Sequence, residues 1–143
     1  MTALPGCELC ALAVPKVFEN DKFAVILADE ANYPGFARVV WKDHVREVSD
    51  LSDQDRLLLN EAVWKLELAL REAMQPLKVN VASLGNVVPH LHWHVIPRYA
   101  DDAHFPAPVW AQAVRTTPPE VLAARRALLP RLADAITRKF ASR

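Results

Sequence analysis

The chain has 143 residues, of which 52% are hydrophobic and 24% are charged, and its 17 basic side chains balance its 17 acidic ones. This composition excludes a disordered chain, and a net charge of zero provides no global attraction to nucleic acid or to a membrane. The length suits one domain, residues 1–143. No stretch approaches the roughly 20 apolar residues that span a bilayer, and the first residues do not resemble a signal peptide. We therefore expect a cytoplasmic protein without disulfide bonds.

Near the start of the chain, Cys7 and Cys10 form a Cys-x-x-Cys pair. Such a pair is compatible with a redox couple, with half of a zinc site or with two unrelated thiols. A thioredoxin-like couple belongs between a strand and a helix of an α/β repeat, whereas this pair opens the chain. Tetrahedral zinc needs two further ligands, and outside residues 90–94 the only histidines are His44 and His104.

Short apolar runs separated by turns predict the first strands. Val17 and Phe18 lead to a turn, and residues 23–28 then form an apolar strand. After a turn containing proline and glycine, residues 36–41 form another strand. We expect these two longer strands to be antiparallel neighbours.

The most regular segment is a predicted helix that begins after Ser52 and runs to about Met74. Ser52 and Asp55 resemble a capping box, and Pro76 prevents the helix from continuing. Apolar residues recur three or four positions apart, at Leu58, Ala62, Leu66, Ala69 and Ala73. Further apolar residues widen this stripe. We expect one buried face against the sheet and a second face available to another subunit.

A hairpin is predicted next. Residues 77–82 form a strand, the turn at residues 83–86 contains a glycine, and residues 87–97 form a second strand rich in β-branched and aromatic side chains. Exposed N–H groups in such a turn can bind phosphate oxygens.

Three histidines alternate along the second strand of this hairpin: His90, His92 and His94. A strand would place all three on one face and direct the intervening Leu91 and Val95, with Trp93, into the core. A single histidine on a strand is usually a satisfied polar side chain. Three on one face leave several ring nitrogens in need of partners, which favours a metal site or a catalytic surface for anionic substrates.

The chain changes character after Arg98. Residues 99–119 are rich in proline and predict an ordered surface excursion, in which Phe105 or Trp110 could stack on a base. Two short helices broken at Pro130 are expected to follow. Their mildly basic character is typical of a solvated helix face, and nucleic acid is not an expected partner.

The pattern His-x-His-x-His followed by two apolar residues resembles the signature of the histidine-triad (HIT) family of nucleotide hydrolases and transferases. The preceding Asn80, Gly85 and Asn86 resemble the loop that this family places before its triad. The resemblance covers most of residues 7–98. The chain departs from it at Asn86, where the family often has Gln, and at Val87, where Ser or Thr is frequent.

This resemblance implies an α+β fold with an antiparallel sheet of about five strands and one long helix. Residues 1–98 would form the core, and residues 99–143 a C-terminal helical extension. It also implies a homodimer, formed through the long helix and a neighbouring strand.

The resemblance further implies the chemistry of the three histidines. His92 would attack the α-phosphorus of a nucleotide conjugate and form a covalent nucleotidyl-histidine. The carbonyl of His90 would accept the proton on the inward nitrogen of His92, and His94 would donate to a phosphate oxygen or to the bridging atom. Dinucleoside polyphosphates and nucleoside phosphoramidates are the implied substrates. The implied substrate contacts are Asn80, Gly85, Asn86 and, at the ribose, Asp29.

A metal site is also implied for family members that carry an N-terminal Cys-x-x-Cys. Its ligands would be two cysteines and two histidines, and the metal would be a structural zinc. No organic cofactor is expected. In this chain the corresponding residues are Cys7, Cys10, His44 and His90.

Two other functions stay open at this point. The three histidines could instead hold one metal with an open water position, as in a metal-dependent hydrolase, although no acidic residue on the same strand completes such a site. The chain could also be a nucleotide-binding module without catalysis, but the intact middle histidine argues against that function.

Overall fold

A computed structural model of the protein describes residues 3–141. Five strands form one antiparallel sheet in the order β1-β2-β3-β5-β4. The strands are β1 (Phe18–Glu19), β2 (Phe23–Leu27), β3 (Ala37–Trp41), β4 (Lys78–Ala82) and β5 (His92–Arg98). The helices are α1 (Asp53–Met74), α2 (Pro119–Arg126) and α3 (Leu129–Ala141), with a short 3₁₀ helix at Val48–Asp50. The predicted α+β fold with a five-stranded sheet and a C-terminal helical extension is therefore confirmed.

Local signals at both ends of α1 set its length. The Ser52 hydroxyl accepts a hydrogen bond from the N–H of Asp55 at 3.1 Å, as the capping pattern predicts. At the other end Gln75 adopts a left-handed conformation, with φ of 48°, immediately before Pro76. The buried residues of α1 include Leu59, Ala62, Leu66, Ala69, Leu70 and Ala73, which form the main core with the sheet and α3.

The second apolar face of α1 is partly covered within the same chain, by α3. Leu132, Ala135 and Ile136 of α3 are fully buried in the main core. At the surface, Arg138 and Lys139 of α3 both form ion pairs with Glu72 of α1. Two large apolar side chains of α1 stay exposed, Leu57 at 71% and Trp64 at 56%, and these lie two turns apart on one side of the helix.

The interruption between the two C-terminal helices lies a few residues earlier than predicted. The chain leaves α2 after Arg126, and α3 already contains Pro130 as its second residue. Proline fits the first turn of a helix because its missing N–H has no partner there in any case. Pro130 therefore opens α3 and does not break it.

The prediction that all three histidines lie on one strand is wrong for His90. Strand β5 begins at His92, and the N–H of Leu91 donates to Val45, which lies beyond the end of β3. Pro89 has no N–H to donate to a strand ladder, and the N–H of His90 donates to the nearby carbonyl of Val88 at 2.8 Å. His90 consequently lies outside the strand, whereas Leu91 and Val95 are in the core as predicted.

The two faces of β5 have different surroundings. Val95 packs in the main core on the α1 side, so His92 and His94 lie on the opposite face. There Tyr33, Phe36 and Ile96 form a second, smaller buried cluster. Among residues 3–141, no helix combines the length and the apolar character that crossing a membrane requires.

Candidate active site and metal centre

His92 and His94 open into a cavity of about 610 Å³, a volume that suits a small-molecule ligand. Its walls come from four parts of the chain. They are the β-strand residues Arg38, His92 and His94, the loop residues 84–88, the N-terminal residues Glu8 and Leu9, and Trp110 of the C-terminal excursion.

The ring of His92 is held in one tautomer by the backbone. Its Nδ1 lies 2.6 Å from the carbonyl oxygen of His90. A carbonyl only accepts, so Nδ1 carries a proton, and in the neutral ring Nε2 keeps its lone pair. The hydrogen bond that the family resemblance implied is therefore present, and it leaves Nε2 as the ring nitrogen without a hydrogen.

The ring of His94 is held in the opposite tautomer. Arg38 lies directly across from it in the β3–β5 register, and Arg38 Nε donates to His94 Nδ1 at 3.2 Å. A guanidinium cannot accept, so Nδ1 of His94 is unprotonated and its proton lies on Nε2. Burial, and then the charges of His92 and Arg38, lower the pKa of His94 to about 4. Neutral His94 is thus an N–H donor beside the ring of His92, and the two ring centroids are 4.9 Å apart.

A second cluster of polar groups lies beside the cavity. Its four side chains are Cys7, Cys10, His44 and His90, whose ligand atoms all lie within 4.8 Å of one another. His90 Nδ1 lies 3.3 Å from His44 Nδ1 and 3.4 Å from Cys7 Sγ, and Cys10 Sγ lies 3.4 Å from His44 Nδ1. In a tetrahedral Cys₂His₂ site, bond lengths of about 2.0 Å to nitrogen and 2.3 Å to sulfur place the ligand atoms roughly 3.3–3.8 Å apart. The donor set and its spacing fit zinc.

A further contact orients His90 toward that cluster. His90 Nε2 donates to the carbonyl of Trp41 at 2.5 Å, which leaves Nδ1 as the free lone pair that faces the two cysteines. Burial lowers the pKa of His90, which favours the neutral imidazole that a metal requires. His90 is thereby engaged away from the cavity.

The remaining predicted site residues divide into two groups. Gly85 and Asn86 line the cavity, whereas Asn80 and Asp29 do not. The side-chain oxygen of Asn80 accepts a hydrogen bond from Arg98 Nη1 at 2.6 Å, and Asp29 is exposed. The substrate roles of these two residues stay predictions.

Of the two aromatic residues considered for base stacking, only Trp110 reaches the cavity. Its ring centroid lies 5.8 Å from that of His94. Phe105 instead lies against the Arg98 guanidinium, whose Cζ is 5.7 Å from the centroid of the Phe105 ring.

A buried ion pair holds the excursion that carries Trp110. Arg98 Nε donates to Asp102 at 2.8 Å, and both side chains are almost fully buried. The backbone N–H groups of Tyr99, His104 and Phe105 also donate to Asp102, and these bonds with Arg98 hold the pKa of that carboxyl well below its usual range. The contacts satisfy a charge that would otherwise be costly to bury, and they fix the excursion against the end of β5.

Sequence reasoning missed Arg38 and the N-terminal residues Glu8 and Leu9. Arg38 did carry a signal, because it is a charged residue within an otherwise apolar strand. Glu8 and Leu9 are the two residues between Cys7 and Cys10. They reach the cavity because the cysteines bring this segment beside His90.

The sheet, the two fixed histidine tautomers and the neighbouring Cys₂His₂ cluster together define a histidine-triad site. The family model for the HIT domain matches residues 13–101, more than half of the chain, and the chain therefore belongs to the HIT family.

Individual proteins agree with this assignment. Protein hit of Bacillus subtilis (strain 168) is 29% identical over 123 residues, which cover 81% of this chain and 84% of that protein. A crystal structure of a histidine triad protein from Bradyrhizobium japonicum has a TM-score of 0.73 at 26% identity, covering 96% of this chain and 97% of that one. The crystal structure of a histidine triad protein from Marinobacter aquaeolei VT8 has a TM-score of 0.69 at 30% identity, covering 90% of this chain and 95% of that one.

Proposed function

We propose that the protein is a nucleotide-conjugate hydrolase or nucleotidyl transferase that acts at the α-phosphate. The observation that carries this proposal is the 2.6 Å hydrogen bond from His92 Nδ1 to the His90 carbonyl, which leaves the Nε2 lone pair free on the cavity side of the sheet. Dinucleoside polyphosphates and nucleoside phosphoramidates are the proposed substrate classes.

The proposed reaction has two steps. His92 Nε2 attacks the α-phosphorus, a nitrogen–phosphorus bond forms, and the bond from phosphorus to the leaving group breaks. His94 Nε2–H donates a hydrogen bond to a phosphate oxygen or to the departing atom, which stabilises the charge that develops there. Water or another acceptor then attacks the same phosphorus and releases His92 with its lone pair restored. With water, the product is a nucleoside monophosphate.

Gly85 and Asn86 are the proposed phosphate contacts of the loop, because both line the cavity beside the histidines. Asn80 and, at the ribose, Asp29 are proposed as further substrate contacts on the family resemblance alone.

We also propose that Cys7, Cys10, His44 and His90 hold a structural zinc ion. Zinc at this site would tie the N-terminal segment to the end of β3 and to the segment before β5. Thiolate ligands agree with the reducing cytoplasm in which we expect the protein.

The geometry disfavours a metal-dependent hydrolase that uses all three histidines as ligands. His90 Nδ1 faces Cys7 and Cys10, and His92 Nδ1 is occupied by its own hydrogen bond. The three rings therefore do not converge on one point.

A homodimer is the proposed assembly. Strand β4 forms an edge of the sheet, and Leu57 and Trp64 of α1 are exposed apolar residues of the kind that a subunit interface covers. Sedimentation equilibrium of the full chain should give twice the chain mass, and a monomer at micromolar concentration would contradict this assembly.

Turnover of a panel of conjugates tests the proposed function. The panel contains diadenosine and diguanosine polyphosphates and the phosphoramidates of adenosine and guanosine. We expect release of a nucleoside monophosphate from at least one of them, and brief treatment with a chelator should not stop it. Immediate loss of turnover in chelator, with the fold intact, would support a metal-bound water. Binding without any release would support a nucleotide-binding module.

A further inference from the structure

Arg38 is a cation within a strand whose other residues are apolar. Its neighbours in β3 are Ala37, Val39, Val40 and Trp41, all buried. Among the described residues that line the cavity, Arg38 is the only lysine or arginine. A buried strand tolerates a charge poorly unless that charge has a partner or a ligand.

The contacts of Arg38 hold its guanidinium beside His94 and Phe36. Its Nε donates to His94 Nδ1, and its Cζ lies 5.3 Å from the centroid of the Phe36 ring. The Phe36 ring also meets the ring of His94 edge-on, at 5.6 Å. Arg38 is therefore held between an aromatic face and a triad histidine.

Most of the hydrogen-bonding capacity of Arg38 is unused. Within residues 3–141, its Nη1 and Nη2 have no hydrogen-bond acceptor and its charge has no carboxylate partner within 4 Å, although the side chain is half-buried. A guanidinium presents several N–H donors in one plane and matches two oxygens of a phosphate. The free Nη groups and the cavity beside them fit an anionic ligand.

We propose that Arg38 contacts the transferred phosphoryl group through its Nη donors while its Nε holds His94 in the tautomer that donates from Nε2. This inference rests on the proposed function and adds to it a residue that binds the anion and positions the proton donor. The low pKa of His94 agrees with it, because the neighbouring guanidinium disfavours an imidazolium.

The two roles are separable by substitution. Arg38→Met removes every donor and keeps an unbranched chain, whereas Arg38→Lys keeps the charge but loses the planar set of donors. Arg126→Met is the matched control, because Arg126 is exposed on α2 and does not line the cavity. Thermal denaturation of all three variants checks that each is folded.

Three readouts test the inference on the full chain. For Arg38→Met we expect kcat with the best conjugate to fall about 100-fold, the loss typical of removing one charge-stabilising donor. We expect the affinity for adenosine monophosphate, measured by calorimetry, to fall at least about tenfold. We also expect the ¹⁵N shifts of His94 to change from a single Nε2–H tautomer to a mixture. Arg38→Lys should recover part of the affinity but not the single tautomer, and Arg126→Met should match wild type.

Wild-type kcat, affinity and ¹⁵N shifts in Arg38→Met would overturn the inference. Its failure is distinguishable from failure of the proposed function, because the monophosphate affinity and the His94 tautomer are measured without turnover. If wild type turns over no conjugate, weaker monophosphate binding and a mixed tautomer in Arg38→Met would still support it. If Arg38→Met does not fold, Arg38→Lys decides: a wild-type His94 tautomer together with wild-type kcat would overturn the inference.

Discussion

Replacing His92 with alanine is expected to abolish turnover, with kcat falling by a factor on the order of 10³ or more. The substitution removes the Nε2 that we propose attacks phosphorus, and no neighbouring group can take its place. His94 has its proton on Nε2 and its Nδ1 occupied by Arg38, while His90 Nδ1 faces the cysteines. The measurement is steady-state release of nucleoside monophosphate from the best conjugate of the panel.

The fold should survive this substitution. The His92 ring lies on the cavity face of β5, away from the main core on the α1 side. We expect a thermal midpoint close to that of wild type. His104→Ala is the matched control, because His104 lies outside the cavity, and it should retain turnover within a few fold. Retained turnover in His92→Ala would show that another group attacks the substrate.

Replacing Cys7 with serine is expected to remove bound zinc and to lower stability. Wild-type protein should contain about one zinc per chain, and Cys7→Ser should contain almost none. The loss of a cross-link between the N-terminal segment and the sheet should cost on the order of 2–5 kcal/mol in the free energy of unfolding, by analogy with a covalent cross-link. Elemental analysis and chemical denaturation measure the two quantities.

Turnover should change less than stability in Cys7→Ser. Glu8 and Leu9 line the cavity and move with the cysteines, so we expect KM to rise while kcat stays within about tenfold of wild type. His104→Gln is the control for zinc content, because this histidine is not part of the Cys₂His₂ cluster. Wild-type protein that contains no zinc after growth with added zinc would show that the Cys₂His₂ cluster does not hold this metal.

The features that were predictable from sequence depend on local signals. Ser52, Pro76 and the apolar spacing between them predicted that α1 begins after Ser52 and ends at about Met74, because capping and proline act within one turn. The strands were predicted from short apolar runs bounded by turns. The Cys₂His₂ cluster required more, since three separate segments supply its side chains, and here the family resemblance named the set that the structure brings together.

The features that escaped prediction depend on pairing between distant segments. Arg38 becomes part of the site only through its register opposite His94, a relation that the sequence of β3 alone does not contain. His90 lies outside the strand, because its own N–H donates to Val88 and the N–H of Leu91 donates to Val45 beyond the end of β3. The place of Trp110 depends on the buried pair of Arg98 and Asp102, which anchors a segment without periodic pattern.

Intact mass after rapid mixing tests the central claim, covalent transfer to His92, most directly. Wild-type protein is mixed with the conjugate panel and quenched without acid, because acid hydrolyses a phosphorus–nitrogen bond. If His92 is the nucleophile, wild type gains the mass of a nucleoside monophosphate and His92→Ala does not. Rapid product formation with no adduct at any mixing time, or an adduct that persists in His92→Ala, would contradict it.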